Sequence, residues 1–303
     1  MPENVQLTPG RRTDNLCQIA GKSGKGEELD IKIAHSPDSD DAFMFFALAQ
    51  GKLPTGEFRF THRLEDIETL NRKALEGEYE VSAISIHAYA YVAGRYALLS
   101  SGASMGDRYG PLVVSRNPLD PGDLRGRKIA IPGMMTSAYL ALRLLEPDFE
   151  PIVMPFDRIM EAAAHGQVDA GLLIHEGQLT YSREGMQKVI DLGEWWHDQT
   201  GLPLPLGGNG IRRDLGPDCI REISRLIRES IQYGLEHRAE ALAYAMQFAR
   251  GLHTGDADRF ISMYVNRRTL DYGDDGRRAV RLFLDKAYAK GLIPHRVTVE
   301  FTD

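Results

Sequence analysis

From Leu29 onward the chain alternates short apolar runs with amphipathic stretches, and this alternation constrains the fold more than any other feature. Residues 29–34 place apolar side chains at every second position, as a half-buried strand does. Residues 42–49 are rich in Phe and Ala, follow Asp40 and Asp41 and precede Gly51, which predicts a helix with acidic residues at its positive end. Repeated units of this kind predict an α/β fold on a largely parallel sheet.

The alternation continues in two sets of predicted elements. The first set has strands at 58–64, 81–86, 96–100 and 111–115, and helices at 67–75 and 87–92. A turn-rich junction at 117–122 precedes a second set, with strands at 128–131, 151–154, 170–174 and 189–192 and helices at 137–145 and 157–164.

Two lobes with a cleft between them are expected from these two sets. A passage dense in Pro and Gly, residues 201–210, is interpreted as a return crossing, and residues 218–291 are predicted to be helical. We therefore expect residues 29–114 and 208–303 to form a discontinuous first lobe with a helical carboxyl-terminal segment. Residues 115–207 would form a second lobe inserted into it.

Charge and cysteine content exclude several function classes. The 303 residues contain 36 Lys and Arg against 43 Asp and Glu, with no basic run, which argues against a nucleic-acid partner. Two cysteines, Cys17 and Cys219, provide neither a disulfide-rich framework nor a CxxC metal site. No apolar stretch approaches the roughly 20 residues of a membrane span, so no membrane association is expected.

Residues 1–28 are polar and rich in Gly, without hydrophobic periodicity. A secretory signal needs an apolar stretch of about 7–15 residues after its basic start, and this segment has none. It is predicted to be a disordered extension, and the protein is expected to be cytoplasmic, as a monomer or a homodimer.

The predicted plan resembles the type II periplasmic-binding-protein fold. Residues 123–132 (DLRGRKIAIP), which precede a helix start with hydroxyl side chains, resemble the opening of that fold's second lobe. Such proteins bind ligands in the cleft, against the carboxyl ends of strands and the amino ends of helices. Candidate functional residues are therefore expected at those ends.

His175 is the strongest candidate for catalysis. It follows the apolar run 171–174, where a strand is expected to leave the sheet toward the cleft. An imidazole titrates near neutrality and can accept a proton at pH 7, although a hydrogen-bonded structural histidine would fit the same position. Glu176 could orient the ring or remain in solvent. Leu179 stands where a second zinc ligand of an HExxH motif belongs, so no metal is expected.

Thr136, Ser137 and Ala138 begin a predicted helix after a strand and Gly133. Hydroxyl groups and the free backbone N–H groups of a first helical turn suit a carboxylate or phosphate. Ordinary helix capping explains the same residues, and the two roles are compatible. Asn71, on a predicted helix, and Ser85, at the end of the third strand, are unremarkable by themselves.

Two further motifs have simpler interpretations than a functional site. Asp38, Asp40 and Asp41 could bind a cation, but their spacing is not that of a calcium loop, and a polar turn with a helix cap fits better. Residues 102–106 match the hydrolase pattern GxSxG. That pattern requires a helix directly after the serine, whereas a strand is predicted here, so a hydrolase nucleophile is disfavoured.

Five segments in chain order resemble one enzyme family. They are residues 35–48 (HSPDSDDAFMFFAL), 65–72 (EDIETLNR), 110–114 (GPLVV), 174–181 (IHEGQLTY) and 200–207 (TGLPLPLG). Together they are similar to the 1,4-dihydroxy-6-naphthoate synthases of the futalosine route to menaquinone. The resemblance extends from about residue 30 to residue 290.

The resemblance implies a lyase that converts cyclic dehypoxanthinyl futalosine, a small carboxylate, to 1,4-dihydroxy-6-naphthoate and dihydroxyacetone, without cofactor or metal. It assigns the general base to His175 and the lining of the ligand pocket to Asn71, Ser85, Ser137 and Ala138. Two alternatives remain at this point. One is chorismate dehydratase of the same pathway and fold, which the His-Glu-Gly-Gln segment disfavours. The other is a non-catalytic protein that binds a small carboxylate.

Overall fold

The computed structural model describes residues 28–250 and 252–302, so the predicted disordered extension lies outside the described residues except for Glu28. The strands are β1 (Leu29–His35), β2 (Phe58–Leu64), β3 (Val81–Ser85), β4 (Tyr96–Leu99), β5 (Ser104–Gly106), β6 (Leu112–Ser115), β7 (Lys128–Ile131), β8 (Glu150–Val153), β9 (Ala170–Leu173), β10 (Gln187–Asp191), β11 (Leu204–Arg212) and β12 (Phe301–Thr302).

The helices of the described residues are α1 (Ser39–Ala49), α2 (Ile67–Glu76), α3 (Ile86–Val92), α4 (Ser137–Leu145), α5 (Ile159–Ala164), α6 (Gly177–Thr180), α7 (Leu192–Thr200), α8 (Pro217–Glu236), α9 (Arg238–Ala245), α10 (Thr254–Tyr264), α11 (Arg267–Leu270) and α12 (Gly273–Ala289). The predicted helical carboxyl-terminal region is therefore confirmed as α8 to α12. The apolar stripe of α8, which includes Ile223, Ile227 and Ile231, is buried in one core with residues of α1 and β1.

Two mixed sheets form the two lobes. The first sheet has the order β12-β4-β11-β3-β1-β2, with β5 paired to β11, and the second has the order β10-β6-β9-β7-β8. β1 is parallel to β2 and β3, and β7 is parallel to β8 and β9. β11, β6 and β10 run antiparallel to their neighbours. The sheets are therefore mixed rather than largely parallel. β6 and β11 adjoin the passages between the lobes, and β10 pairs with β6.

Sheet pairing places those passages near residues 107–111 and 201–203, rather than at 114/115 and 207/208. β6 (Leu112–Ser115) pairs within the second sheet, and β11 (Leu204–Arg212) pairs within the first. The passage predicted as a crossing is therefore mostly a strand. Its glycines allow close packing, since a Cβ on Gly208 would lie 2.1 Å from Tyr272 Oη and one on Gly210 would lie 2.4 Å from Ile84 Cδ1.

One hydrophobic core spans both lobes. Tyr139 and Leu140 of α4, in the second lobe, share it with Ile84 of β3 and Tyr89 of α3 in the first. Thr136 caps α4 by accepting a hydrogen bond from the N–H of Tyr139, an interaction worth about 1 kcal/mol of helix stability. The start of α4 is thus held between the lobes. Within the described residues, no helix combines the length and apolarity needed to cross a bilayer.

Candidate active site

A cavity lies between the two sheets. The first lobe lines it with Ser36, Asp38, Asp40, Asp41, Ser85, Gly102, Ser104, Asn209 and Tyr264, among others, and the second lobe with Thr136, Ser137, Ala138, Ile174, His175 and Gln178. Five of the six residues proposed from the sequence therefore face one cavity. The sixth, Asn71, is fully buried behind Ser85.

His175 of the second lobe lies within ion-pair distance of Asp38 of the first lobe. Its Nδ1 lies 2.9 Å from Asp38 Oδ2, and the exposed fractions of the two side chains are 16% and 3%. The edge of the Phe156 ring packs against the imidazole, with 4.8 Å between ring centroids. Apart from this contact at Nδ1, neither ring nitrogen of His175 takes part in a hydrogen bond found in the described residues.

The backbone of His175 is unusual as well. Its φ of 54° lies in the left-handed region, which a residue with a side chain rarely adopts. This conformation occurs where β9 ends and the chain turns into α6. Backbone strain of this kind is concentrated at functional sites, where the surrounding structure holds it in place.

Burial sets the protonation states of this pair. Burial lowers the pKa of His175 below its usual value, although the negative charges of Glu176 and Asp40 act in the opposite direction. Burial raises the pKa of Asp38 to about 6. At pH 7 the imidazole is therefore neutral and Asp38 is mostly ionised. In the neutral tautomer that has its proton on Nδ1, the nitrogen nearest Asp38, the lone pair lies on Nε2.

Asp38, which the sequence interpretation treated as part of a polar turn with a helix cap, also lines the cavity. Its Oδ1 accepts a hydrogen bond from the N–H of Asp41 at 3.3 Å, so the predicted helix cap is confirmed for α1. The same carboxylate reaches His175 with its second oxygen. Glu176, which was considered for orienting the ring, is instead buried with Oε1 unpartnered and acts on the imidazole through its charge.

The surroundings of Asp40 and Asp41 disfavour ionisation of their carboxyls. Burial raises the pKa of both carboxyls well above the usual range, and the charge of Asp38 raises it further. Asp41 Oδ2 accepts a hydrogen bond from the N–H of Ser36 at 2.7 Å. In residues 28–250 and 252–302, no group of three His, Cys, Asp or Glu side chains is arranged to hold a metal ion.

The start of α4 presents hydrogen-bond donors to the cavity. The Thr136 hydroxyl is occupied by the cap, since it donates to Gly133 O at 3.0 Å and accepts from Tyr139 N–H at 3.2 Å. Ser137 Oγ accepts from the N–H of His87 at 3.1 Å, so its own proton is available to a ligand. The N–H groups of Ser137 and Ala138 belong to the first helical turn, where no intrahelical acceptor exists. These groups suit an anionic ligand oxygen.

Asn71 fixes the orientation of Ser85 through two hydrogen bonds. Its Oδ1 accepts from the N–H of Ser85 at 2.9 Å, and its Nδ2 donates to Ser85 Oγ at 3.0 Å and to Met135 O at 3.4 Å. Because Ser85 Oγ accepts this bond, the hydroxyl proton of Ser85 can point into the cavity. Asn71 thus contributes by positioning Ser85 and joining the lobes through Met135.

Further contacts join the lobes beside His175. Tyr264 Oη donates to Gln178 Oε1 at 2.7 Å, and Arg183 forms two bonds with Asp256, of 2.7 and 3.2 Å. Arg250 of the first lobe stacks on Phe156, with its guanidinium carbon 4.3 Å from the ring centroid. The structure is therefore closed around the cavity on this side.

The GxSxG motif does not form a hydrolase elbow. Ser104 begins β5 and pairs with β11, and no helix follows it directly. Gly102 and Ser104 nevertheless line the cavity. The sequence-based rejection of a hydrolase nucleophile is confirmed on this geometric ground.

The chain is similar to known proteins over most of its length. A family model described as "Menaquinone biosynthesis" matches residues 31–289. The chain is 43% identical over 262 residues to a 1,4-dihydroxy-6-naphthoate synthase from Thermus thermophilus, an alignment that covers 86% of this chain and 95% of the relative.

Solved structures with similar folds were also found. A crystal structure of an Archaeoglobus fulgidus protein is similar with a TM-score of 0.84 and 51% identity, covering 87% of this chain and 98% of the other. An alkanesulfonate-binding protein from Xanthomonas axonopodis pv. citri is similar at a TM-score of 0.68 and 15% identity, covering 90% and 97% of the two chains. This second likeness concerns the fold alone, and it confirms the periplasmic-binding-protein-like architecture.

Proposed function

The chain belongs to the menaquinone-biosynthesis family, and from this membership and its cavity we propose that it converts cyclic dehypoxanthinyl futalosine to 1,4-dihydroxy-6-naphthoate with release of dihydroxyacetone. Relatives aligned over most of the chain carry the name of that lyase. The observation that carries the proposal is the pairing of a cavity-lining His175 with the buried Asp38 at 2.9 Å. A protein that only binds a ligand has no need of such a base.

The carboxylate of the substrate is assigned to the start of α4. The available donors there are the hydroxyl protons of Ser85 and Ser137 and the first-turn N–H groups of Ser137 and Ala138. Neutral donors at the positive end of a helix bind an anion without bringing a second charge into the cavity. The carboxylate then fixes the orientation of the carbocycle.

His175 is assigned as the general base for carbon–carbon cleavage. Its Nε2 accepts a proton from the bound carbocycle, close to carbonyl and hydroxyl groups that stabilise the resulting negative charge. Asp38 accepts the Nδ1–H and stabilises the imidazolium as it forms. Loss of the three-carbon fragment leaves an aromatic ring, and aromatisation supplies much of the driving force. The proposed reaction uses no cofactor or metal.

Closure of the lobes supports this chemistry. The contacts of Gln178 with Tyr264 and of Arg183 with Asp256 hold the segment after His175 against the first lobe. A closed cavity excludes water, which would otherwise compete for the base and protonate intermediates. His175 and Asp38 come from different lobes, so their contact itself requires closure.

Anaerobic incubation with cyclic dehypoxanthinyl futalosine tests the proposal. We expect the absorbance of the 1,4-dihydroxy-6-naphthoate chromophore to appear together with stoichiometric dihydroxyacetone, including after dialysis against a chelator. Chorismate incubated in parallel should remain unchanged. Recovery of the cyclic compound intact would refute the assigned reaction, and consumption of chorismate would favour the dehydratase of the same pathway.

A further inference from the structure

Asn209 presents a buried amide without a partner to the cavity. It lies in β11, opposite Ala83 of β3, and only 2% of the residue is exposed. Its Nδ2 is buried without any hydrogen-bond partner, and none of the hydrogen bonds found in the described residues uses its Oδ1. Buried amides are normally paired, because burial removes the hydrogen bonds that water provides. This amide is thus unpaired within the described residues.

The surrounding backbone leaves space for the Asn209 amide. Gly102, which also lines the cavity, has a φ of 85°, and a Cβ at that position would lie 2.0 Å from Asn209 Nδ2. A side chain at residue 102 would therefore displace the amide. The backbone N–H of Gly102 donates to Thr269 O at 2.6 Å, which holds this loop in position. The glycine thus leaves room for an amide that has no hydrogen-bond partner among the described residues.

The chemistry of the amide differs from that of the donors at α4. Ser85, Ser137 and the first-turn N–H groups supply donors, as a carboxylate requires. An amide offers a donor and an acceptor side by side, and its oxygen would repel a carboxylate. A neutral hydroxyl or carbonyl group, by contrast, can use the donor, and a hydroxyl can use both.

We propose that Asn209 is a substrate-binding residue that recognises a neutral oxygen substituent, a hydroxyl or carbonyl, on the part of the substrate that lies away from its carboxylate. This assignment rests on the proposed function and deepens it. Asn209 then discriminates the hydroxylated cyclic substrate from simple aromatic carboxylates, which occupy only the donors at α4. The unpaired amide is satisfied when the correct ligand binds.

The test replaces Asn209 by Leu, which has a similar branched shape without polar atoms. Three quantities are measured for wild type and N209L: kcat/KM for cyclic dehypoxanthinyl futalosine, the inhibition constant of 2-naphthoate, and the melting temperature. We expect kcat/KM to fall by about tenfold or more, as for a lost hydrogen bond from a buried group. We expect the inhibition constant to stay within about twofold, and the melting temperature to be unchanged or higher, because an unsatisfied buried amide has been removed.

N209A is made in parallel, so that a folding defect caused by the larger Leu does not decide the outcome. Unchanged kcat/KM in both variants would overturn the assignment. So would a parallel loss of 2-naphthoate binding and a lowered melting temperature, since those changes indicate a structural role. If the wild-type protein leaves the cyclic compound unchanged, the proposed function itself fails. If the wild type is active and kcat/KM is unchanged in both N209L and N209A, only the role assigned to Asn209 is refuted.

Discussion

Nδ1 of His175 lies 2.9 Å from Oδ2 of Asp38, and the two residues belong to different lobes. Nδ1 is therefore within hydrogen-bond distance of a carboxylate, and His175 also lines the cavity. The pair has the arrangement of a general base with its orienting carboxylate, assembled from the end of β9 and the start of α1. The first three predictions follow from this relationship.

Replacing His175 by Ala should abolish turnover without unfolding the protein. A positioned general base contributes about 100- to 10,000-fold to the rate, so kcat should fall by at least that range. The variant should still bind cyclic dehypoxanthinyl futalosine, measured by calorimetry, because the donors at α4 are untouched. His165→Ala, an exposed histidine of the same lobe, is the control and should retain full activity. Activity like that of wild type in His175→Ala would contradict the assigned role.

Replacing Asp38 by Asn should lower kcat by about 100-fold or more, with a small effect on KM. The Asn side chain keeps the cap of α1, because Asn is as good a cap residue as Asp. It can no longer accept the Nδ1–H as an anion, and the imidazolium loses its stabilising charge. Asp157→Asn, an exposed position in the second lobe, is the matched control. A KM effect alone would assign Asp38 to binding rather than to the base.

Activity should decline on the acid side with an apparent pKa near 6. Burial raises the pKa of Asp38 to about 6, so this carboxyl is ionised above that pH and protonated below it. Burial lowers the pKa of His175 from its usual value, which moves protonation of the imidazole to more acidic pH. kcat/KM should therefore rise between about pH 5 and 7 and then level. In Asp38→Asn this limb should disappear, and circular dichroism at pH 5 should verify that the protein remains folded.

Replacing Ser137 by Ala should raise KM by about tenfold while kcat changes little. A contact with the carboxylate acts alike on the ground and transition states, and such a hydrogen bond is worth roughly 1.5–3 kcal/mol. Loss of Oγ also leaves the buried N–H of His87 without its acceptor, so the melting temperature should fall. Ser182→Ala, at an exposed position, controls for a general effect. If only kcat changes, the hydroxyl acts at the reacting centre instead.

Two neighbouring glycines of β11 should differ sharply in their tolerance of Ala. A Cβ on Gly208 would lie 2.1 Å from Tyr272 Oη in the core, whereas one on Gly207 would come no closer than 3.6 Å to its nearest neighbour, Ile84 O. Gly208→Ala should therefore lower the free energy of unfolding by about 1–3 kcal/mol. Gly207→Ala should change it by less than about 0.5 kcal/mol. Urea titrations of both variants give the comparison, and equal destabilisation would contradict the packing argument.

Much of the fold could be predicted from hydrophobic periodicity. The strands β2 and β7 and the helix α4 were predicted with the bounds that they have, because each has a clear period and clear end signals. β11 was missed, since Pro203, Pro205 and the glycines predict a loop. Its pairing with β3, β4 and β5 and its close packing on Tyr272 override that local preference.

Only part of the candidate site could be predicted from the sequence. His175 and the start of α4 lie where strand ends and helix starts indicate a ligand, and the structure places them in one cavity. The sequence around Asp38 and around Asn209 did not favour a role in ligand binding or catalysis. An aspartate before a helix indicates capping, and an Asn among glycines indicates a turn. The roles proposed for both residues depend on neighbours far away in the sequence, His175 for Asp38 and Gly102 for Asn209. The cytoplasmic compartment and the oligomeric state stay predictions.

The way α4 is anchored indicates on which side the cavity can open. Tyr139 and Leu140 embed this helix in apolar packing that belongs to both lobes, whereas the segment from His175 to Arg183 touches the first lobe through polar contacts. Polar contacts exchange readily with water, and apolar packing does not. We therefore expect the cavity to open beside the imidazole, and opening there would separate the ring from the carboxylate of Asp38.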